Sequence, residues 1–254
     1  MTALMTGKTA LVTGAGSGIG AATARILAAE GARVAVGYHN DADGAAAVVE
    51  SLPGEGHIAL RCKIDDADSL AAAVDELQGA FGHLDVLVNS AGSTTPVPLH
   101  DLDALDDALF DRIVRINLRA PFSAIRNFAP LLRNAPDDAV IVNVGSLAAY
   151  TGSGSNLAYA AAKAGLAALS KGLARVLGPK IRVLSVAPAG VDTDFVKGRD
   201  PALLKKHAGA VPLKKATTPD DVARSVLACA ALLTSSTGID VIVDEGRHVV
   251  GWPL

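Results

Sequence analysis

Thr9-Ala-Leu-Val-Thr13-Gly14-Ala-Gly16-Ser17-Gly18-Ile19-Gly20, running straight into Ala21-Ala-Thr-Ala-Arg-Ile-Leu-Ala-Ala-Glu30, decides the fold. Thr9–Thr13 is a short apolar run of β type. Ala21–Glu30 is built from strong helix formers and stops at Gly31, a natural C-cap. Strand, glycine turn and helix in immediate succession form the context in which a glycine pattern carries meaning. The glycines permit a tight turn and let the backbone approach a pyrophosphate, which rests on the N–H groups of the helix start. The spacing Gly14-x-x-x-Gly18-x-Gly20 differs from the commoner Gly-x-Gly-x-x-Gly, and an ordinary glycine-rich βα turn has the same local look.

Working outward, β-type runs recur at Arg33–Gly37, Ile58–Cys62, Val86–Asn89, Ala139–Val144, Ile181–Val186 and Asp240–Val243. Periodic, alanine-rich helical segments lie between them, at Asp66–Phe81, Leu102–Leu132, Leu157–Leu177 and Pro219–Leu233, with Asp66 and Asp220 read as N-caps. Alternation of this kind predicts an α/β chain with a parallel sheet and helices on both faces. Several strands are almost wholly apolar, as strands covered on both sides are. Ligands of such sheets bind at the carboxyl ends of the strands, where strand order reverses. No linker, repeat or low-complexity tract divides the chain, so residues 1–254 are read as one domain. Val191–Thr217, carrying Asp200-Pro201, Gly209 and Lys205-Lys206-His207, is read as a substrate lid; the basic run also fits a solvated helix surface.

A chain of 254 residues with 50% hydrophobic content can bury a large core. The net charge of −3 and the pI near 6.0 give no basic excess and argue against nucleic-acid or membrane partners. No apolar run reaches spanning length, and the start lacks a secretory pattern. Cys62 and Cys229 are read as buried free thiols, which fits a cytoplasmic location. No metal is expected.

Tyr159-Ala-Ala-Ala-Lys163 puts a phenol and an ammonium on one helix face about one turn apart, with Ser146 earlier in the chain. A free tyrosine, with a pKa of about 10, is a poor base near neutrality. A cation one turn away favours the phenolate, and a serine hydroxyl can hold a substrate oxygen beside it. The constellation suits proton transfer to or from an alcohol or carbonyl. Taken alone, the pair also fits a solvated Tyr–Lys contact.

Thr13-Gly14-Ala-Gly16-Ser17-Gly18-Ile19-Gly20, Asn89-Ser-Ala91-Gly92, Asn117, Ser146 and Tyr159-x-x-x-Lys163 stand in the order and spacing of the short-chain dehydrogenase/reductase family. The chain resembles that family from about Lys8 to Gly246. The resemblance implies a Rossmann-type, doubly wound, seven-stranded parallel sheet ordered 3-2-1-4-5-6-7. It also implies NAD(P)-dependent interconversion of a secondary alcohol and a ketone, similar to the 3-oxoacyl-thioester reductases. By resemblance, Tyr159 is the general acid/base and Ser146 binds the reacting oxygen. Lys163 lowers the tyrosine pKa and grips the nicotinamide ribose, and Asn117 holds a relay water. The implied cofactor contacts are Gly14, Gly16, Ser17, Gly18, Ile19, Gly20, Tyr38, His39, Lys63, Ile64, Asn89, Ala91, Gly92, Tyr159, Lys163, Pro188, Val191 and Thr193. A homotetramer or homodimer is implied, with helices Leu102–Leu132 and Leu157–Leu177 and the tail Val249–Leu254 as candidate interfaces; Trp252 fits its own domain's core equally well.

Three positions depart from the family pattern. Lys63 replaces the usual aspartate and offers only donors to an adenine. Ala189 stands where glycine usually follows Pro188, and Glu245 occupies one place of a common Gly-Gly pair. The end of strand two carries Tyr38, His39 and Asn40, with no acid to repel a 2′-phosphate and no arginine to bind one, a pattern leaning to NADP(H), with NAD(H) the alternative and discrimination weak. Two other readings remain at this point: a cofactor-binding protein with little catalysis, acting as a sensor or assembly partner, and a sugar-nucleotide epimerase or dehydratase.

Overall fold

The computed structural model describes residues 3–193, 195–196 and 208–250. The middle of the expected lid, with Asp200-Pro201 and Lys205-Lys206-His207, lies outside the described residues, as does Trp252. Seven parallel strands make one sheet in the order β3-β2-β1-β4-β5-β6-β7. They are β1 (Thr9–Thr13), β2 (Arg33–Tyr38), β3 (Ile58–Arg61), β4 (Val86–Asn89), β5 (Ala139–Val144), β6 (Ile181–Pro188) and β7 (Asp240–Val243). The expected order is therefore present. The turning point falls between β1 and β4, beside the glycine turn.

Among the described residues the helices are α1 (Gly18–Ala29), α2 (Ala42–Ser51), α3 (Ala67–Phe81), α4 (Asp107–Val114), α5 (Ala120–Arg133), α6 (Ala148–Thr151), α7 (Leu157–Leu177) and α8 (Pro219–Leu227). The sequence marked α3 and α7 well, because Asp66 and Asn156 cap them and their apolar periodicity is unbroken. The expected helix Leu102–Leu132 instead starts at Asp107 behind an Asp106 cap. It widens into a π turn over Arg115–Arg119 before continuing as α5. Asp220 is not the cap of α8. Thr218 is, in a reciprocal box with Asp221, and Pro219 fills the first helical position. α2 escaped notice in the sequence because it is short and only two of its residues are buried.

The uniformly apolar strands hide an alternation that the structure resolves. Val12, Val34, Val36, Val88, Val142 and Val186 face the core beneath α1, α2 and α8. Leu11, Ala35, Leu60, Leu87, Ile141 and Val183 face the core beneath α3, α5 and α7. Strands β1 to β6 thus feed two hydrophobic layers, with valines and alanines dominating one and leucines and phenylalanines more prominent in the other, while β7 packs on the first alone. That is the two-sided burial expected of a parallel sheet.

The start of α1 is pressed against the end of β1. A Cβ on Gly20 would overlap the Gly14 carbonyl oxygen, and one on Gly14 (φ 65°) would lie 2.7 Å from the Ala91 Cα. Gly16 is different, since its nearest neighbour would be 3.9 Å away. Gly20→Ala should therefore cost about 1–3 kcal/mol of stability, lowering Tm by roughly 2–10 °C for a chain of this size. Gly16→Ala should leave the ligand-free Tm within about 1 °C, as its added methyl meets no close neighbour. Thermal melts of the two variants beside wild type check the contrast.

Candidate active site

The strand order brings the glycine turn, the loop after β4 and the loop after β6 together on the carboxyl rim. Thr13 joins the first two: its Oγ1 accepts from the backbone N–H groups of Ser90 and Ala91, both at 3.2 Å. Thr193 closes on the turn from the other side, its Cγ2 lying 3.4 Å from where a Gly18 Cβ would stand. The N-terminus of α1 has no side-chain cap, and its first turn holds no acidic residue. By contrast α2, α3, α4, α7 and α8 are all capped by Asp, Asn or Thr side chains. Free N–H donors at a helix start, beside an open Gly16, fit a dinucleotide pyrophosphate. Gly14, Gly16, Ser17, Gly18, Ile19 and Gly20 would hold it. Ala91, Gly92, Val191 and Thr193 stand on the flanking loops, and Pro188 ends β6 beside them.

Tyr38 ends β2 half-buried, and His39 is exposed beside it. Asp41, the nearest following acid, is engaged in capping α2 through the Gly44 N–H at 2.9 Å. Across the β2–β3 pairing, the Cys62 N–H donates to the Tyr38 carbonyl at 2.7 Å. The next residue, Lys63, has its own N–H fixed on Ser69 Oγ at 3.0 Å. Ile64 is buried beneath it.

A line of polar residues crosses the sheet in register: Thr13, Asn89, Asn143, Ser185 and Asp240. Asn89 Nδ2 donates to Asn143 Oδ1 at 2.8 Å, and Asn143 Nδ2 to Ser170 Oγ of α7 at 2.9 Å. Asn89 thus ties β4 to β5 at the centre of the sheet, and Asn143 anchors α7 to β5. This contact depends on register, which the sequence does not print.

α7 carries Tyr159 and Lys163. Lys163 is buried, and its Nζ donates to the Val144 carbonyl, the last of β5, at 2.8 Å. The same Nζ lies 5.7 Å from the centroid of the Tyr159 ring, within cation–π range. Burial pushes the Lys163 pKa down to about 8, so the group is still mostly an ammonium at neutral pH. Tyr159 is half-buried, and Phe195 covers it with ring centroids 5.9 Å apart. Ser146 follows β5 by two residues and shares a cavity wall with Lys163, its Oγ accepting from the Ala148 N–H at 3.2 Å. The Leu147 N–H donates to the Pro188 carbonyl at 2.8 Å, tying this loop to the one after β6.

Asn117 sits inside the π turn and is fully buried. Its Nδ2 donates to the carbonyls of Ser93 (2.7 Å) and Ile113 (2.9 Å), while its Oδ1 has no protein partner. A buried acceptor of this kind calls for a water or ligand donor. Gly92 leaves it room, since a Cβ there would stand 2.8 Å from that oxygen.

Two departures prove local. Ala189 is absent from the positive-φ residues, and its N–H is bonded to the Val243 carbonyl at 3.0 Å, so the turn after Pro188 needs no glycine there. Glu245 does take a left-handed backbone (φ 59°), and its carboxylate lies 3.5 Å from Lys215 Nζ. Phe195 and Asn156 joined the site only through the structure. Asn156 had a sequence signal, a cap-type residue directly before a helix-forming run; Phe195 had none.

Comparison with known proteins gives the geometry its relatives. A family profile described as enoyl-(acyl carrier protein) reductase matches residues 14–248. A cis-4-hydroxycyclohexanecarboxylate dehydrogenase of Sinomonas cyclohexanicum is 38% identical over 248 residues, 96% of this chain and 97% of that one. A 3-oxoacyl-(acyl-carrier-protein) reductase of Staphylococcus aureus is 34% identical over 250 residues, 95% and 98% of the two chains. Among solved structures, a 7α-hydroxysteroid dehydrogenase complexed with NADH and 7-oxo glycochenodeoxycholic acid superposes with a TM-score of 0.87. It is 31% identical, with 96% of each chain covered.

The buried ammonium makes a prediction about pH. With Lys163 at about 8 in the fold and 10.5 in the unfolded chain, the native state binds fewer protons between those values. Stability gained from this group therefore rises with pH across that window, by up to about 3 kcal/mol. Urea midpoints of wild type and Lys163→Met at pH 7 and pH 10 should show wild type gaining on the variant at the higher pH. A gap that does not change would mean that the lysine is not desolvated.

Proposed function

The chain belongs to the short-chain dehydrogenase/reductase family and is an oxidoreductase acting on CH–OH or carbonyl groups; from that premise we propose that it interconverts a secondary alcohol and a ketone with Tyr159 as general acid/base. The observation that carries the proposal is a buried ammonium, fixed on the Val144 carbonyl, beside the half-buried phenol of Tyr159. A bound nicotinamide cofactor would supply hydride to the carbonyl carbon in reduction, or take it from the carbinol carbon in oxidation. In the reductive direction Tyr159 gives its phenolic proton to the substrate oxygen, and the Ser146 hydroxyl donates a hydrogen bond to the same atom. The Lys163 charge stabilises the phenolate left behind. Nζ has donors to spare beyond Val144, enough to hold ribose hydroxyls. Asn117 Oδ1 accepts from a water through which Lys163 and Tyr159 are reprotonated from solvent. Phe195 covers the phenol and keeps bulk water from it.

We read the cofactor preference as NADP(H) with weak discrimination. Tyr38 brings no carboxylate to repel a 2′-phosphate, and Asp41 is occupied at its cap. Lys63 has no carboxylate within ion-pair distance among the described residues, so its charge is free for an anionic or ring-nitrogen acceptor. The protein is placed in the cytoplasm, a reading that its two free buried cysteines support. We take the chain as one catalytic domain acting on a small alcohol or carbonyl compound. The named substrates of the relatives make a 4-oxocyclohexanecarboxylate and a 3-oxoacyl thioester the first ketones to try. A homotetramer is proposed from exposed apolar side chains at the β7 edge and beyond it, namely Leu232, Ile239, Ile242, Val249 and Val250.

Tyr159→Phe should lower kcat about a hundredfold or more on whichever ketone is reduced. NADPH and NADH, titrated by cofactor fluorescence, should bind the variant as they bind wild type, with their two Kd values within about a hundredfold of each other. Near-normal turnover in the variant would remove Tyr159 from the mechanism. Light scattering at micromolar protein should give a tetramer's mass; the 25.7 kDa of a single chain would refute the assembly.

A further inference from the structure

Asn156 is fully buried, and both ends of its amide are used. Oδ1 accepts the Tyr159 backbone N–H at 2.7 Å, which caps α7. Nδ2 donates to the Thr95 carbonyl at 2.8 Å and to Thr94 Oγ1 at 3.2 Å. The neighbouring residue continues the seam: Ser155 Oγ is 2.5 Å from Thr94 Oγ1, and the Ser155 carbonyl accepts the Val97 N–H at 2.8 Å. At the other end of the same loop, the Ser93 carbonyl accepts from Asn117 Nδ2. Residues 93–97 are therefore held between the helix that bears Tyr159 and the π turn that bears Asn117.

The residue type follows from this double duty. The caps of α2, α3, α4 and α8 (Asp41, Asp66, Asp106 and Thr218) are all exposed and act as acceptors for a helix N–H. At α7 the cap must accept from a helix N–H and donate to a loop carbonyl at once. A carboxylate cannot donate and would face the Thr95 oxygen with like polarity, and a serine is too short to reach both. Only an amide carries a donor pair and an acceptor on one short stem. The same N–H and carbonyl fix which end of the amide is which.

We propose that Asn156 is the positioning residue for Tyr159, locking the first turn of α7 to the loop after β4. The phenol is thereby fixed relative to Ser146 and to the loop wall at 93–97. The inference rests on the proposed role of Tyr159, but the lock itself is visible without turnover. Asn156→Ser keeps an oxygen for the cap and removes the amide donors. With NADPH and 4-oxocyclohexanecarboxylate or a 3-oxoacyl thioester, kcat should fall about tenfold or more, since small displacements of a reacting group are costly. NADPH affinity should stay within about twofold, and the alkaline limb of the kcat–pH profile should move, which a merely loosened fold would not produce. Asn156→Asp, with the cap oxygen retained and the donors again lost, should reproduce the result if the serine variant folds poorly.

Hydrogen exchange of the Tyr159 and Val97 amides is followed in the same proteins. Both should exchange at least about tenfold faster in the variants. Unchanged exchange, or faster exchange with wild-type kcat and pH profile, overturns the proposal. A wild-type protein that binds cofactor but turns over neither ketone counts against the enzymatic reading instead, and the exchange rates still decide whether Asn156 locks the loop.

Discussion

The closeness of α1 to β1 fixes where the glycine turn and the first helix meet the carboxyl rim of the sheet. No side chain fits at Gly20 against the Gly14 carbonyl, or at Gly14 against Ala91. Because the helix starts directly on top of the strand end, its uncapped N–H groups open onto the rim where strand order reverses. Thr13, bonded to Ser90 and Ala91, then holds the loop after β4 in the same place. A methyl group at Gly20 would press α1 away from the end of β1, and one at Gly14 would press on the loop after β4 at Ala91.

On that rim the chemistry turns on an electrostatic compromise. An ammonium buried at the end of β5 is costly unless something accepts from it, and the Val144 carbonyl does so at 2.8 Å. Burial lowers the Lys163 pKa without neutralising it at pH 7, so the positive charge is retained in a low-dielectric setting next to Tyr159. The same charge in water would be screened and of little use to a phenol. Asn117 follows a related logic. The π turn exposes the Ile113 carbonyl to its amide and leaves one oxygen buried and open, in keeping with the tendency of such bulges to mark functional positions.

The register of the sheet joins these parts. Asn89 and Asn143 meet because β4 and β5 pair in step, and Ser170 then anchors α7 over them. Leu147 reaches Pro188 across the β5–β6 step. The helix bearing Tyr159, the loop bearing Ser146 and the end of β6 are thus referred to one frame rather than to each other.

The sequence by itself determined the strands, the glycine turn, α7 and the Tyr–Lys face, because these rest on local propensity, caps and period, which act within a few residues. It also determined strand order and family through motifs whose spacing follows from that fold. It did not disclose the π turn at Asn117, the start of α4 at Asp107, the role of Thr218 in place of Asp220, or the cover of Phe195 over Tyr159. Nor could it say that Ala189 needs no glycine, or that Lys163 is buried on a carbonyl of another element. Those features depend on which groups distant segments bring into contact, and burial and hydrogen-bond partners at such contacts are set only when the sheet closes in register and the helices dock on it.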